Sequence, residues 1–307
     1  MMPWRPLLVF LGMSVGATTG IAALSASMGW TVRSPAWGVL APIAMWAPAL
    51  GRVVARRAVD RGFTATLPLR WGATGAQMVL WPLAAPLAVY GTAYAIAWSA
   101  GFAHWSPGGG KWTTGSQIAA NLLVNLFILG VFGTFTAMGE EIGWRGYLQP
   151  RLDAAGVRAS VAILWLCELA YHAPLMAGAG YVGGLSKSLA LFAAGDLSVA
   201  FLFMRLALFV AGGLSVTFLF AWGSYRARSL WPAVFFHSFH NTISQWLFPK
   251  FFAGGENELW LGEGGLLPVA GYVVVGATVF LHMRWHGPSW QALARGAEES
   301  GNFKVQS

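Results

Sequence analysis

Three short stretches gather residue types able to exchange protons or hold an ion. GEEIGWRG, residues 139–146, sets Glu140 and Glu141 side by side with Arg145 behind them. CELAYHAPL, residues 167–175, places Glu168 four positions before His172. FFHSFHNTIS, residues 235–244, holds His237, His240 and Asn241. Carboxylates and imidazoles are the commonest proton acceptors at neutral pH. Glu141 and Arg145 are i,i+4 with the acid first, the favourable order for a helical ion pair. Glu140 projects about 100° away from Glu141 on a helix and is left to face another partner, as suits a general base. His237 and Asn241 share one helical face.

The elements that hold these residues are membrane helices. Of 307 residues, 56% are hydrophobic and only 10% charged; a soluble chain carries roughly a quarter charged. The fold class expected is all-α, a polytopic membrane protein with about eight transmembrane helices. Spans of roughly 20 apolar residues can be placed near 7–30, 36–55, 73–100, 118–142, 158–178, 203–224, 230–250 and 264–283. Tryptophans mark many ends, among them Trp4, Trp30, Trp71, Trp260 and Trp285, as an interfacial belt would. Segment 179–202, with GAGYVGG, Lys187 and Asp196, is too broken for a span and reads as a loop with an interfacial or re-entrant piece. Residues 1–307 read as one integral membrane domain, with a catalytic core at 135–245 and a cytoplasmic tail at 285–307.

Net charge is +8, which in this setting concerns topology and lipid rather than nucleic acid. Counting alternate loops puts thirteen Lys and Arg on the side holding Arg52, Arg56, Arg57, Arg61 and Arg70, with Arg5, Arg151, Arg158, Arg226, Arg228, Arg284, Arg295 and Lys304. Five lie opposite: Arg33, Lys111, Lys187, Arg205 and Lys250. The bias places both termini in the cytoplasm. Arg5, the apolar run after it and ALSAS also permit a signal peptide, but the run is long for one.

Depth links the three stretches. Glu140 is eleven residues from Arg151, His172 fourteen from Arg158 and His237 nine from Arg228. At about 1.5 Å per residue these are depths of ~16, ~21 and ~13 Å. The three therefore meet at one level in the cytoplasmic half of the membrane or near its middle. Ionisable groups at such depth are costly and point to function.

Several residues have plainer readings. A single membrane histidine is usually a packing hydrogen-bonder; His240 divides evenly between that and support of the site. His104, His282 and His286 read as interfacial, and Arg205 as snorkelling to the far interface. Glycine pairs 183–184 and 212–213 suit close helix packing. The lone Cys167 permits no disulfide and reads as a small apolar residue.

These motifs resemble those of the CPBP family, the CAAX-protease and bacteriocin-processing (Abi) intramembrane endopeptidases. GEEIGWRG is similar to its EExxxR motif, His172 to the histidine of FxxxH, and His237 with Asn241 to HxxxN/D. The resemblance covers about 135 to 245 and implies a CAAX-protease-like helical bundle that hydrolyses peptide bonds in the membrane. It implies that Glu140 activates water, that Glu141 and Arg145 hold the constellation, that His172 positions the water or a carboxylate, and that His237 and Asn241 donate to the oxyanion. One departure stands out: Glu168 occupies the place of the family's aromatic. It could act on His172, add a ligand, rewire the water site or mark lost activity.

The resemblance leaves two mechanisms open. The leading one is a metal-free glutamate peptidase that requires no cofactor. In the other, Zn²⁺ sits on Glu140, His172 and His237 with a water in the fourth position; HExxH, the usual helical zinc-protease signature, is absent from the chain. Expected partners are membrane lipids and a peptide or lipidated-protein substrate, with no nucleic acid, in a plasma membrane of the bacterial type. Two readings from other classes compete. A proton-coupled transporter would also bury acids and histidines, but would show inverted repeats. A non-catalytic immunity or scaffold protein is the other.

Overall fold

The computed structural model describes residues 4–59, 69, 71, 74–124, 126–127, 130–155, 159–180, 191–196, 198–253, 260–262, 264–286 and 292–293. Residues 181–190 and 197 of the 179–202 segment, with the glycines at 183–184, the greater part of the 285–307 tail, and Arg61, Arg70, Arg158, Lys187, Arg295 and Lys304 lie outside them. The described chain is almost wholly helical, as its apolar runs require. Inside a bilayer each backbone polar group must be satisfied within its own segment.

The helices are α1 (Trp4–Met28), α2 (Trp37–Ala58), α3 (Gln77–Ser99), α4 (Gly115–Val124), α5 (Gly130–Gly143), α6 (Gln149–Ala154), α7 (Ser160–Ala179), α8 (Val199–Ala227), α9 (Trp231–Asn241), α10 (Phe248–Phe251) and α11 (Leu266–His286). A π-helical turn, Trp144–Leu148, joins α5 to α6, and another, Thr242–Leu247, joins α9 to α10. Strands β1 (His104–Trp105) and β2 (Phe252–Ala253) form one antiparallel pair.

Six of these helices, α1, α2, α3, α7, α8 and α11, are long and apolar enough to cross a membrane. With the family relationship reported below, they make this an integral membrane protein. The remaining two expected spans, 118–142 and 230–250, are helical but divided into shorter pieces. The first is divided between the end of α4 at Val124 and the start of α5 at Gly130; the second takes π geometry at the polar NTISQ, and a further π-turn follows α5 at the glycine-bearing GEEIGWRG. Such turns recur at functional sites, and both lie beside the candidate residues.

Packing forms two groups. Helix α1 packs on α2 and α7, and α2 on α5, around Leu7, Phe10, Trp144, Tyr147, Leu164 and Tyr171. Helix α3 packs on α9 and α11, and α11 on α8, around Tyr90, Leu219, Phe220, Phe236 and Tyr272. Where α5 and α7 of the first group meet α8 and α9 of the second, the charged residues are enclosed.

Candidate active site

Helix α5 carries Glu140 and Glu141 because its glycines let α2 come close. A Cβ on Gly139 would lie 2.7 Å from the Met45 carbonyl oxygen, and one on Gly143 would collide with Pro48. The GEEIG spacing puts both glycines on one face, i,i+4, and turns the acids toward the other helices. On the opposite flank, Ser238 of α9 donates from Oγ to the Gly130 carbonyl at 3.0 Å, and Thr134 Oγ1 lies 3.2 Å from Ser238 Oγ. These bonds fix α9 against α5 and set His237 beside Glu141.

The two acids are buried, Glu140 at 4% and Glu141 at 0% exposure, and their surroundings differ. His237 Nδ1 lies 2.9 Å from Glu141 Oε1. Arg145, on the π-turn, places Nη1 3.2 Å from each Glu141 oxygen. The expected Glu141–Arg145 pair is present. The same Nη1 also bonds Glu168 Oε1, so the guanidinium bridges two carboxylates. Thr217 Oγ1 of α8 donates to Glu168 Oε2 at 2.8 Å. Phe220 of α8 lies under the guanidinium at 4.6 Å and beside the His237 ring at 5.6 Å.

Glu140 faces α7. Its Oε2 is 4.0 Å from His172 Nε2, and its Oε1 is 3.5 Å from the Tyr171 hydroxyl, which donates at 2.7 Å to the Ala44 carbonyl. His172 Nδ1 lies 2.8 Å from the Glu168 carbonyl oxygen. A carbonyl only accepts, so Nδ1 carries a proton and, in the neutral ring, Nε2 keeps its lone pair toward Glu140. Asn241 ends α9 one turn after His237, half-buried, with no side-chain hydrogen bond among the described residues.

The structure thus brings Glu140, Glu141, Arg145, Glu168, His172 and His237 together and keeps Asn241 on the His237 face. It revises three expectations. Glu168 bonds His172 through its main-chain carbonyl, while its carboxylate bonds Arg145 and Thr217. His240 turns away from the acids, with Nδ1 2.7 Å from the Tyr272 hydroxyl and its ring beside Tyr90; it ties α9 to α11 and α3. Arg205 does not snorkel. It is buried at 4% exposure and donates from Nη2 to the Gly264 carbonyl at 2.7 Å, before the start of α11. Tyr171, Thr217 and Phe220 were not singled out from sequence. Tyr171 adjoins His172, and that adjacency was the one available signal; the two α8 residues sit in an ordinary apolar run.

The zinc alternative was tested against the donor set. Among the described residues no three His, Cys, Asp or Glu side chains are arranged to hold a metal ion. Glu140 and His172 face one another, and His237 bonds Glu141 through Nδ1, which leaves its Nε2 as the nitrogen open to a ligand. The residues as placed do not form a three-ligand cradle, and no step is derived through a metal.

Comparisons with known proteins agree with the motifs. No curated protein and no solved structure matches the chain. One family model does, over a stretch that holds all of the site residues named above except those supplied by α2. Residues 120–243 accordingly form an Rce1-like domain, of the family described as type II CAAX prenyl endopeptidase Rce1-like.

Proposed function

We propose that this protein is an intramembrane endopeptidase that hydrolyses a peptide bond with a glutamate-activated water. One observation carries the reading: the 4.0 Å gap between Glu140 Oε2 and His172 Nε2. Both atoms are acceptors. A water held at ordinary hydrogen-bond distance from each would subtend an angle of about 90°, close to what its two O–H bonds can serve. Its lone pairs then point away from both groups, toward a substrate carbonyl.

The chemistry follows from that placement. The water oxygen bonds to the carbonyl carbon as Glu140 takes its proton. His237, doubly protonated, donates Nδ1–H to Glu141 and Nε2–H to the oxyanion, and the Asn241 amide adds a second donor. Glu140 passes its proton to the amide nitrogen, the C–N bond breaks, and a carboxylic acid and an amine leave. Arg145 keeps Glu141 in its acceptor state, which holds the His237 ring. Glu168 fixes Arg145 from the far side. The site would be approached from the cytoplasmic side or laterally from lipid, by a peptide or lipidated protein, with both termini cytoplasmic.

The test is cleavage of a fluorogenic peptide library by purified protein in nanodiscs. Glu140→Gln should keep the fold and reduce kcat roughly 10²–10⁴-fold. A folded Glu140→Gln with wild-type turnover refutes the proposal. Substrate uptake into proteoliposomes without cleavage would replace it with transport.

A further inference from the structure

Four buried polar atoms on one continuous helical stretch have no hydrogen-bond partner among the described residues: Trp144 Nε1, Arg145 Nε, and both Gln149 Oε1 and Nε2. All belong to residues no more than 2% exposed. In an apolar surrounding, an unpartnered donor or acceptor is costly, and such groups are normally satisfied by ordered water. Their placement is orderly. The Gln149 N–H bonds the Trp144 carbonyl across the π-turn, which stacks these two residues on successive turns. Glu141, Arg145 and Gln149 recur at intervals of four. Along the stretch the Trp144 indole N–H and the Arg145 Nε–H are donors, and the Gln149 amide offers one donor group and one acceptor. Two to four such partners are what a buried water requires.

A cation lies beside the stretch at Gly146. Arg52 of α2 is half-buried, and its Nη1 lies 3.5 Å from the position a Gly146 Cβ would take. It stands toward the end of α2 that carries Arg56 and Arg57.

We infer that a file of ordered waters runs along the α5–π-turn–α6 stretch, from the Glu141–Arg145 pair past Trp144 and Gln149 toward Arg52, and that it supplies the reaction with water and exchanges its protons. The supply role rests on the hydrolytic reading above; the file itself does not. Gln149 is its central positioning residue, since the amide alone offers both a donor and an acceptor.

X-ray radiolytic labelling of the full chain in nanodiscs tests this, because hydroxyl radicals formed from a bound water oxidise the side chain beside it. Trp144 and Phe236 are both fully buried, so bulk solvent labels neither. After correction for intrinsic reactivity, Trp144 should label several-fold faster than Phe236, and Gln149→Leu should remove the difference. Gln149→Leu should also lower kcat several-fold at unchanged KM, and Gln149→Asn should restore part of both. Equal labelling of Trp144 and Phe236 in the wild type overturns the file. Labelling lost in Gln149→Leu with kcat unchanged overturns the supply role. A fully active Glu140→Gln would overturn the hydrolytic reading while leaving the labelling result standing. If Gln149→Leu does not fold, wild-type labelling and Gln149→Asn decide.

Discussion

Glu168 offers the sharpest test of how the buried charges are organised. Its carboxylate and that of Glu141 share one guanidinium, Arg145. Replacing Glu168 with Gln changes a charge–charge bond into a charge–neutral one and keeps an acceptor for Thr217. Arg145 still has Glu141, so the loss is that of one charged hydrogen bond, about 1–3 kcal/mol. At about 2 °C per kcal/mol for a chain of this size, Tm should fall by roughly 2–6 °C. Arg145→Gln is a different perturbation. It leaves two buried carboxylates without their cation, and costs about 3–5 kcal/mol. In that background the Glu168 charge is a liability, so adding Glu168→Gln should be neutral or raise Tm. The sign reversal is the signature, with a coupling of roughly 1–3 kcal/mol. Thermal unfolding of the four proteins in one detergent measures it, with Arg145→Lys in reserve if Arg145→Gln does not fold. Equal costs of Glu168→Gln in both backgrounds would refute the shared-cation arrangement. Turnover gives an independent reading. His172 bonds the main chain of residue 168, which Glu168→Gln and Glu168→Phe both keep, so each should cleave within about tenfold of wild type, near 1.4 kcal/mol in barrier. A phenylalanine there would face Arg145 across from Phe220. A folded variant that has lost all cleavage would put Glu168 in the chemistry.

Other outcomes follow from the same geometry. Asn241→Ala, losing an oxyanion donor, should lower kcat by about 10²–10³ with Tm little changed; unchanged kcat would remove Asn241 from the site. Gly139→Ala should destabilise by about 1–3 kcal/mol through overpacking against Met45, read as a lower Tm, whereas a neutral substitution would mean that α2 does not press on α5 there. Arg205→Met leaves the Gly264 carbonyl without its donor and should cost about 1–3 kcal/mol with kcat unaffected. Cleavage that survives exhaustive chelation is expected for the glutamate mechanism; activity lost with stoichiometric zinc and restored by it would replace that mechanism.

The acids, the histidines and their meeting were legible because a bilayer leaves few reasons for such residues, and because periodicity and depth are set by helix geometry alone. The depth yardstick was nevertheless inexact. Arg151, used as a loop marker, is buried at 3% exposure and lies over the Tyr147 ring at 5.4 Å. The residues meet nonetheless, Glu140 with His172 and Glu141 with His237. Contributions from α8 were not legible. Thr217 and Phe220 sit in SVTFLF, a run whose composition is that of any span, and their role exists only where α8 crosses α7 and α9. The π-turns were also hidden, since no residue type demands them. The eight apolar runs marked where helices form, but not that two of them would be divided.

Adjacency explains why the motif has two acids rather than one. Successive residues on a helix diverge by about 100°, so Glu140 and Glu141 face different neighbours while sharing one depth. Glu140 meets the Nε2 of His172 on α7; Glu141 meets the Nδ1 of His237 on α9. A single acid could hold a water or a histidine ring, but its lone pairs could not be aimed at both helices. Arg145, one turn on, faces with Glu141 and not with Glu140, so the cation holds the acceptor that orients a ring and leaves the other acid open to exchange a proton. Glu168 tightens the held half without touching the open one. The glycines at 139 and 143 belong to the same solution: they seat α2 on the face the acids do not use.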